Sequence, residues 1–162
     1  AYGYFGLGDL FVFIFFGLIS ILGSNFLFDS VLEFKLLSPS IVLGLLSVGV
    51  LNLNNMRDIQ NDAECGKKTL AVVLGTQKAK LYHLFIISFA LLLICHFQYE
   101  LNISSNSLNF FLIINSLGLV FHMVKVHKVS SHKEYDKYLK VLALHAFLFS
   151  VLISLYFFKI VL

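Results

Sequence analysis

The chain has 162 residues, of which 59% are hydrophobic and only 13% charged, with a mean hydropathy of +0.88. That balance excludes an ordinary soluble domain, in which about a quarter of residues are charged, and predicts an all-α, polytopic transmembrane helix bundle seated in the lipid bilayer. The net charge of +3 is small: no nucleic-acid partner is expected, and where the basic residues fall matters more than their sum.

Ala1 to Asp9 reads AYGYFGLGD, with three glycines and two tyrosines, a loop with aromatic groups at interface depth. The first span runs from about Asp9 to Phe28. Within it Ser20 and Ser24 form a small-xxx-small pair suited to close helix approach in lipid. A polar connection carrying Lys35 follows. Ser38-Pro39 is expected to open the second span, with Ser38 as N-cap and Pro39 at the first helical position. Gly44 and Gly49 thin that helix for a neighbouring helix or a lipid tail. The span continues through Val50 into a polar stretch, NLNNMRDIQNDAECGKKTLAVVLG, from Asn52 to Gly75.

Thr69 to Gly75 reads as an apolar clip. A third span covers about Leu81 to Phe97, and the connection QYELNISSNSLN after it has neither Lys nor Arg. It contains the sequon Asn102-Ile103-Ser104, a weak signal. The fourth span covers about Phe110 to Val124 and the fifth about Val141 to Phe158, with the basic stretch KVHKVSSHKEYDKYLK between them. Arg57, Lys67, Lys68, Lys78 and Lys80 thus lie in one connection, and Lys125, Lys128, Lys133, Lys137 and Lys140 in another. Lys35 and Lys159 fall on the opposite side. The positive-inside rule then turns the polar motif towards the cytoplasm. Cys65 and Cys95 read as free thiols. The six histidines (His83, His96, His122, His127, His132, His145) share no metal-ligand spacing and read as packing or interfacial residues.

The chemistry concentrates in the polar stretch. Asn52, Asn55, Asp58, Asp62 and Gly66 are spaced by three or four, which places them on one stripe of a continuous helix. Two carboxylates one turn apart repel unless a cation lies between them. Oxygen ligands suit Mg²⁺, which keeps waters and recruits substrate phosphates. The expected metal and catalytic residues are therefore Asp58 and Asp62. Arg57 and Lys67, with Asn55, are placed to hold diphosphate oxygens. Lys68, Glu64 and Gln60 fit a solvated topological loop better. The reading is a Mg²⁺–diphosphate site at the mouth of a membrane bundle.

The pattern NxNNxRDxxxDxxxGKxTLxVxLG, carried by Asn52, Asn54, Asn55, Arg57, Asp58, Asp62, Gly66, Lys67, Thr69, Leu70, Val72, Leu74 and Gly75, resembles the UbiA-type membrane prenyltransferases. The NNxRD and GKxTLxV words, and the opening YGYFGLGDLFVFIFFG, resemble the 1,4-dihydroxy-2-naphthoate branch. The resemblance implies nine transmembrane helices and two Asp-rich motifs in the complete fold, so five spans with one motif are expected to be its C-terminal half. It implies transfer of a polyprenyl group from polyprenyl diphosphate to dihydroxynaphthoate, with loss of CO₂ and diphosphate, in a bacterial cytoplasmic (inner) membrane. Asp58 and Asp62 would hold Mg²⁺ bridging to the diphosphate, and Arg57 and Lys67 would offset charge as it leaves. Other acceptors, 4-hydroxybenzoate, homogentisate or a porphyrin-type ring, keep the same site. A transporter or channel subunit would instead require charges inside the spans or paired broken helices, and the spans as drawn carry charges only at their ends.

Overall fold

A computed structural model describes residues 6–100 and 106–161, apart from the side chains of residues 29, 100, 106–107 and 158–161. Ala1–Phe5 and the sequon at 102–104 lie outside the described residues. The described secondary structure is entirely helical. Helix α1 (Gly8–Val12), a π-wound stretch (Phe13–Gly23) and α2 (Ser24–Asp29) form one rod. Then come α3 (Leu37–Arg57), the short α4 (Ile59–Glu64), α5 (Leu70–Glu100), α6 (Asn106–His127) and α7 (Tyr135–Val161). Among the described residues, five stretches are long and apolar enough to cross a membrane: Gly8–Phe28, Phe34–Arg57, Leu70–Tyr99, Leu108–His127 and His132–Phe157.

Their number matches the sequence reading, but the last three begin earlier and run longer than the hydropathy suggests. Segments such as TQKAK and YDKYLK end the apolar run, yet their Gln, Lys, Ala and Leu residues are good helix formers. Polarity marks where the hydrocarbon stops, and the helix continues past it.

Helix α3 is the axis of the bundle. It packs against the π-wound stretch, α5 and α7, and more than half of its span is buried. The outer faces of the other spans carry exposed Phe15, Leu27, Phe28, Phe85, Phe121 and Phe147, apolar groups suited to lipid. Glycine sets the closest approach. A Cβ on Gly17 would lie 2.6 Å from the Gly44 Cα and 2.7 Å from the Ser40 carbonyl, so the two backbones touch there. Gly49 likewise admits Leu142 of α7 and Ile87 and His83 of α5. Among the described residues the expected Ser20/Ser24 helix contact is not made. Both hydroxyls are exposed and bond back to their own helix, Ser20 to the Phe16 carbonyl at 2.6 Å and Ser24 to the Ser20 carbonyl at 2.7 Å. Gly17, with no side chain, can approach where serine cannot.

The second span also starts differently. A 3₁₀ turn (Phe34–Leu36) feeds straight into α3, Leu36 is the N-cap, and Pro39 is the third helical residue. Proline costs little there because the first-turn N–H groups have no intrahelical partner anyway. Thr69–Gly75 is not a separate clip but the first turns of α5. Thr69 caps it, its Oγ1 accepting from the Val72 N–H at 3.3 Å. Gly75 breaks the helical path with φ 74° and ψ 160°, a conformation essentially restricted to glycine.

One turn of α5 fastens the bundle. The Ala79 carbonyl accepts from Asn52 Nδ2 of α3 at 3.1 Å. Buried Lys80 donates to the Val129 carbonyl at 2.5 Å and the His127 carbonyl at 3.3 Å, satisfying backbone at the end of α6. Tyr82 donates to Asp9 of α1 at 3.0 Å. His83 shares an Nε2···Nε2 hydrogen bond of 3.2 Å with His122 of α6. The Lys80 contact also shows that the two basic connections meet at one end of the bundle.

Candidate functional site

The polar stretch forms the α3–α4–α5 connection at that end. Its centre is Arg57, the last residue of α3. The guanidinium grips Asp58 with two parallel bonds, Nε to Oδ1 and Nη2 to Oδ2, each 2.8 Å. It also donates to Asn54 Oδ1 at 2.8 Å and to Asp136 Oδ1 of α7 at 3.0 Å. Neighbouring residues on an α-helix point about 100° apart and cannot make a two-pronged contact. The helix accordingly breaks at Asp58, whose φ of −97° and ψ of 9° separate α3 from α4. The Asp58 N–H still donates to the Asn54 carbonyl at 3.0 Å and the Asp62 N–H to the Asp58 carbonyl at 2.9 Å, so the helical stripe read from the sequence is interrupted at Asp58, with Asp58 and Asp62 still one turn apart.

Gly66 likewise lies off the helix. It follows the α4 C-cap residue Cys65 with φ +70°. The Lys67 N–H donates to the Asp62 carbonyl at 2.9 Å, and the Gly66 N–H to the Ala63 carbonyl at 3.1 Å. These two bonds are a Schellman stop. The stop turns the chain back, and Lys67 Nζ reaches Asp62 Oδ1 at 2.9 Å. Gly66 is thus required for backbone geometry, and its consequence is the Asp62–Lys67 pair.

Each carboxylate has its own cation, but the environments differ. Asp62 is buried at 4% exposure, whereas the Asp58 side chain is about one-third exposed at 34%. The Arg57 guanidinium beside Asp58 holds its carboxyl below the ordinary range, against the smaller opposing effect of burial. Asn55 is buried, and it is Asn54 that holds Arg57 directly. Asn52 is turned away to α5. Among the described residues no three His, Cys, Asp or Glu side chains converge. Two carboxylates with oxygen donors only are nevertheless the set that fits Mg²⁺, which fills its remaining positions with water and phosphate.

An apolar groove of about 420 Å³ opens beside this cluster, lined by Val12 and Phe16, by Ser47, Val50, Leu51 and Asn54 of α3, and by Leu139, Ala143 and Ala146 of α7. Asn54 is both its polar rim and a partner of Arg57. Through Asn54 the apolar groove therefore adjoins the charged cluster.

Sequence reasoning missed three things. Asp136 was hidden in a basic loop, where only its i,i+4 spacing to Lys140 sets it apart. Lys80 was counted as a topological charge and is buried. The His83–His122 pair joins residues 39 apart and has no local signature. His145 also bonds Asn115 at 2.7 Å across α6 and α7, so these histidines pack helices together, in line with the packing role expected of them. Both cysteines are free and exposed.

Comparison with known proteins places the chain. A 1,4-dihydroxy-2-naphthoate octaprenyltransferase of Haemophilus influenzae is 35% identical over 154 residues, 95% of this chain and 49% of that protein. The Escherichia coli protein of the same name is 50% identical over 82 residues, 51% of this chain and 27% of its own. A UbiA prenyltransferase domain-containing protein 1 of Dictyostelium discoideum is 36% identical over 115 residues, 68% of this chain and 33% of its own. The chain spans about half the length of the Haemophilus relative. No solved structure matches it. Residues 1–158 match the UbiA prenyltransferase family, and the chain belongs to that family.

Proposed function

We propose that this chain is the C-terminal half of a membrane prenyltransferase that transfers a polyprenyl group from polyprenyl diphosphate to 1,4-dihydroxy-2-naphthoate, releasing diphosphate and CO₂ and yielding a demethylmenaquinol, the reduced form of a demethylmenaquinone. The observation that carries this reading is the junction at Asn54, where the apolar groove meets the Arg57–Asp58 and Lys67–Asp62 pairs. A polyprenyl diphosphate has the same division, a charged head and a long apolar tail. The names borne by the relatives supply the acceptor.

The fork with which Arg57 grips Asp58 fits a phosphate equally well. Arrival of the diphosphate lets Arg57 exchange one anion for another without leaving its Asn54 and Asp136 anchors. Lys67, turned back by the Schellman stop, adds a second positive charge beside Asp62. Members of the family are generally Mg²⁺-dependent, and Asp58 and Asp62 are the residues that would hold the ion. When bound, Mg²⁺ supplies Lewis-acid neutralisation of the leaving diphosphate. Val12, Phe16, Val50 and Leu139 keep water from the tail and from the allylic carbon as it gains positive charge. The electron-rich ring attacks that carbon through the position bearing its carboxylate, and CO₂ departs with the bonding pair left to the ring.

The convergence of both basic connections at one end supports a cytoplasmic position for the motif in a bacterial inner membrane. To test the function, this chain is joined to its N-terminal half in membranes and supplied with polyprenyl diphosphate, Mg²⁺ and either dihydroxynaphthoate or 4-hydroxybenzoate, and the products are identified by mass. A decarboxylated prenyl-naphthoquinol is expected. Product from 4-hydroxybenzoate alone overturns the acceptor, and no product from either overturns the reaction.

A further inference from the structure

The wall of the groove contributed by the first span lies at the edge of the bundle and packs on α3. Gly17 is the single buried residue of α1 and the π-wound stretch, and very little of the span's most apolar window is buried. Two fasteners bracket the lining residues Val12 and Phe16. On one side is the Gly17–Gly44 backbone contact. On the other is a hydrogen bond from the Tyr82 hydroxyl to Asp9 Oδ2, 3.0 Å long and spanning 73 residues of sequence. A carboxylate in an apolar helix is costly and calls for a partner. Tyr82 supplies it from the same turn of α5 that Asn52, Val129 and His122 lock in place, so the bond ties the start of the first span to a fixed post.

The neighbouring contacts show what the tie controls. A Cβ on Gly6 would lie 3.1 Å from the Lys68 carbonyl, so the segment before α1 rests on the motif connection next to Lys67. A Cβ on Gly8 would lie 3.5 Å from Leu51 Cδ2, and Leu51 lines the groove. We infer that Asp9 and Tyr82 are positioning residues whose hydrogen bond clamps the start of α1 against α3 and the motif connection, fixing the polar mouth of the groove beside Arg57. The kinetic consequence rests on the function proposed above, but the clamp itself does not.

Two measurements test it. In the complete enzyme, Tyr82→Phe removes the donor with almost no change in volume. It is expected to raise KM for polyprenyl diphosphate about fivefold, the loss of one hydrogen bond, with kcat within about twofold. Asp9→Asn keeps an acceptor and is expected to be milder than Asp9→Ala. The Asp9→Ala/Tyr82→Phe double variant is expected to be no worse than the worse single one. Unchanged KM in Tyr82→Phe, or effects that add, overturn the inference.

The second measurement needs no turnover. With Cys65 and Cys95 replaced by Ser, the pair Gly8→Cys and Leu51→Cys is oxidised and disulfide formation is timed. The clamp predicts several-fold slower closure with Tyr82→Phe than with Tyr82 present. Equal rates overturn it. If the protein with Tyr82 intact makes no prenylated product, the functional reading fails while the cross-linking rates still decide the clamp.

Discussion

Arg57 Nη1 lies 3.0 Å from Asp136 Oδ1, which joins the last residue of α3 to the second residue of α7. Asp136 also pairs with Lys140 one turn on. An exposed pair of this kind adds little to stability, so its value is in aiming the guanidinium. Asp136→Asn is therefore expected to leave the melting temperature almost unchanged and to lower kcat/KM for polyprenyl diphosphate by a few fold. Arg57→Lys is a more severe test, because an ammonium cannot make the parallel bonds to Asp58 and still reach Asn54 and Asp136. A loss of about 100-fold is expected, comparable with removal of a transition-state donor. Steady-state kinetics beside a thermal melt separates the two effects.

The Arg57–Asp58 pair also sets a pH dependence. Because Arg57 lowers the Asp58 pKa, the stabilisation is fully present above the ordinary carboxylate value of about 4. It is lost as pH falls through the lowered value. In Arg57→Gln the carboxyl returns towards its ordinary value. The stability gap between the unaltered protein and Arg57→Gln should thus be constant above about pH 5 and shrink at lower pH. Melting temperatures of both proteins between pH 3 and pH 7 check this, and a gap that does not narrow in acid contradicts it.

Glycines in this chain serve two different needs, and alanine separates them. Gly66 has φ +70° and open space where a Cβ would sit, with no atom within 4 Å, so Gly66→Ala bears only the left-handed backbone penalty of about 1 kcal/mol. Gly17→Ala drives a methyl into the backbone of α3, with atoms at 2.6, 2.7 and 2.9 Å that no rotamer change can relieve. Gly66→Ala is expected to accumulate in membranes and melt a few degrees lower. Gly17→Ala is expected to detach the first span, seen as loss of folded protein in detergent.

The His83–His122 bond predicts non-additive mutational costs. Interhelical hydrogen bonds in membranes average about 0.6 kcal/mol, less than the roughly 1–3 kcal/mol of leaving a buried polar group without a partner. Each ring already has a buried Nδ1 without a hydrogen bond. His83→Phe strands His122 and should destabilise more than the pair is worth. His83→Phe/His122→Phe should destabilise by less than the two singles summed, and a double-mutant cycle on thermal stability reads the difference.

Composition and motif spacing made the five spans and the polar cluster legible, because hydrophobic length and carboxylate spacing are local properties. What was not legible depends on long-range contact. The i,i+1 embrace of Arg57 and Asp58 breaks the helix that a simple 100° projection keeps intact. Asp136 joins the cluster only when α7 packs beside α3. Asn52 and Asn55 fall on the three-or-four spacing and Asn54 does not, yet of the three it is Asn54 that meets both the groove and Arg57. Ser20 and Ser24 looked like a helix contact because small size was the criterion. The close approach is made instead by Gly17 against Gly44, where the sequence had marked Gly44 as room for a neighbouring helix and had not singled out Gly17.

The central claim is that Asp58 and Asp62, with Arg57 and Lys67, form the diphosphate site. Its most direct test is Mg²⁺-dependent turnover of the complete enzyme carrying Asp58→Asn or Asp62→Asn, measured across a Mg²⁺ titration with protein levels matched. Turnover should be abolished in both variants at every Mg²⁺ concentration while the folded protein persists. Near-normal turnover in both would contradict the account and separate this cluster from the chemistry.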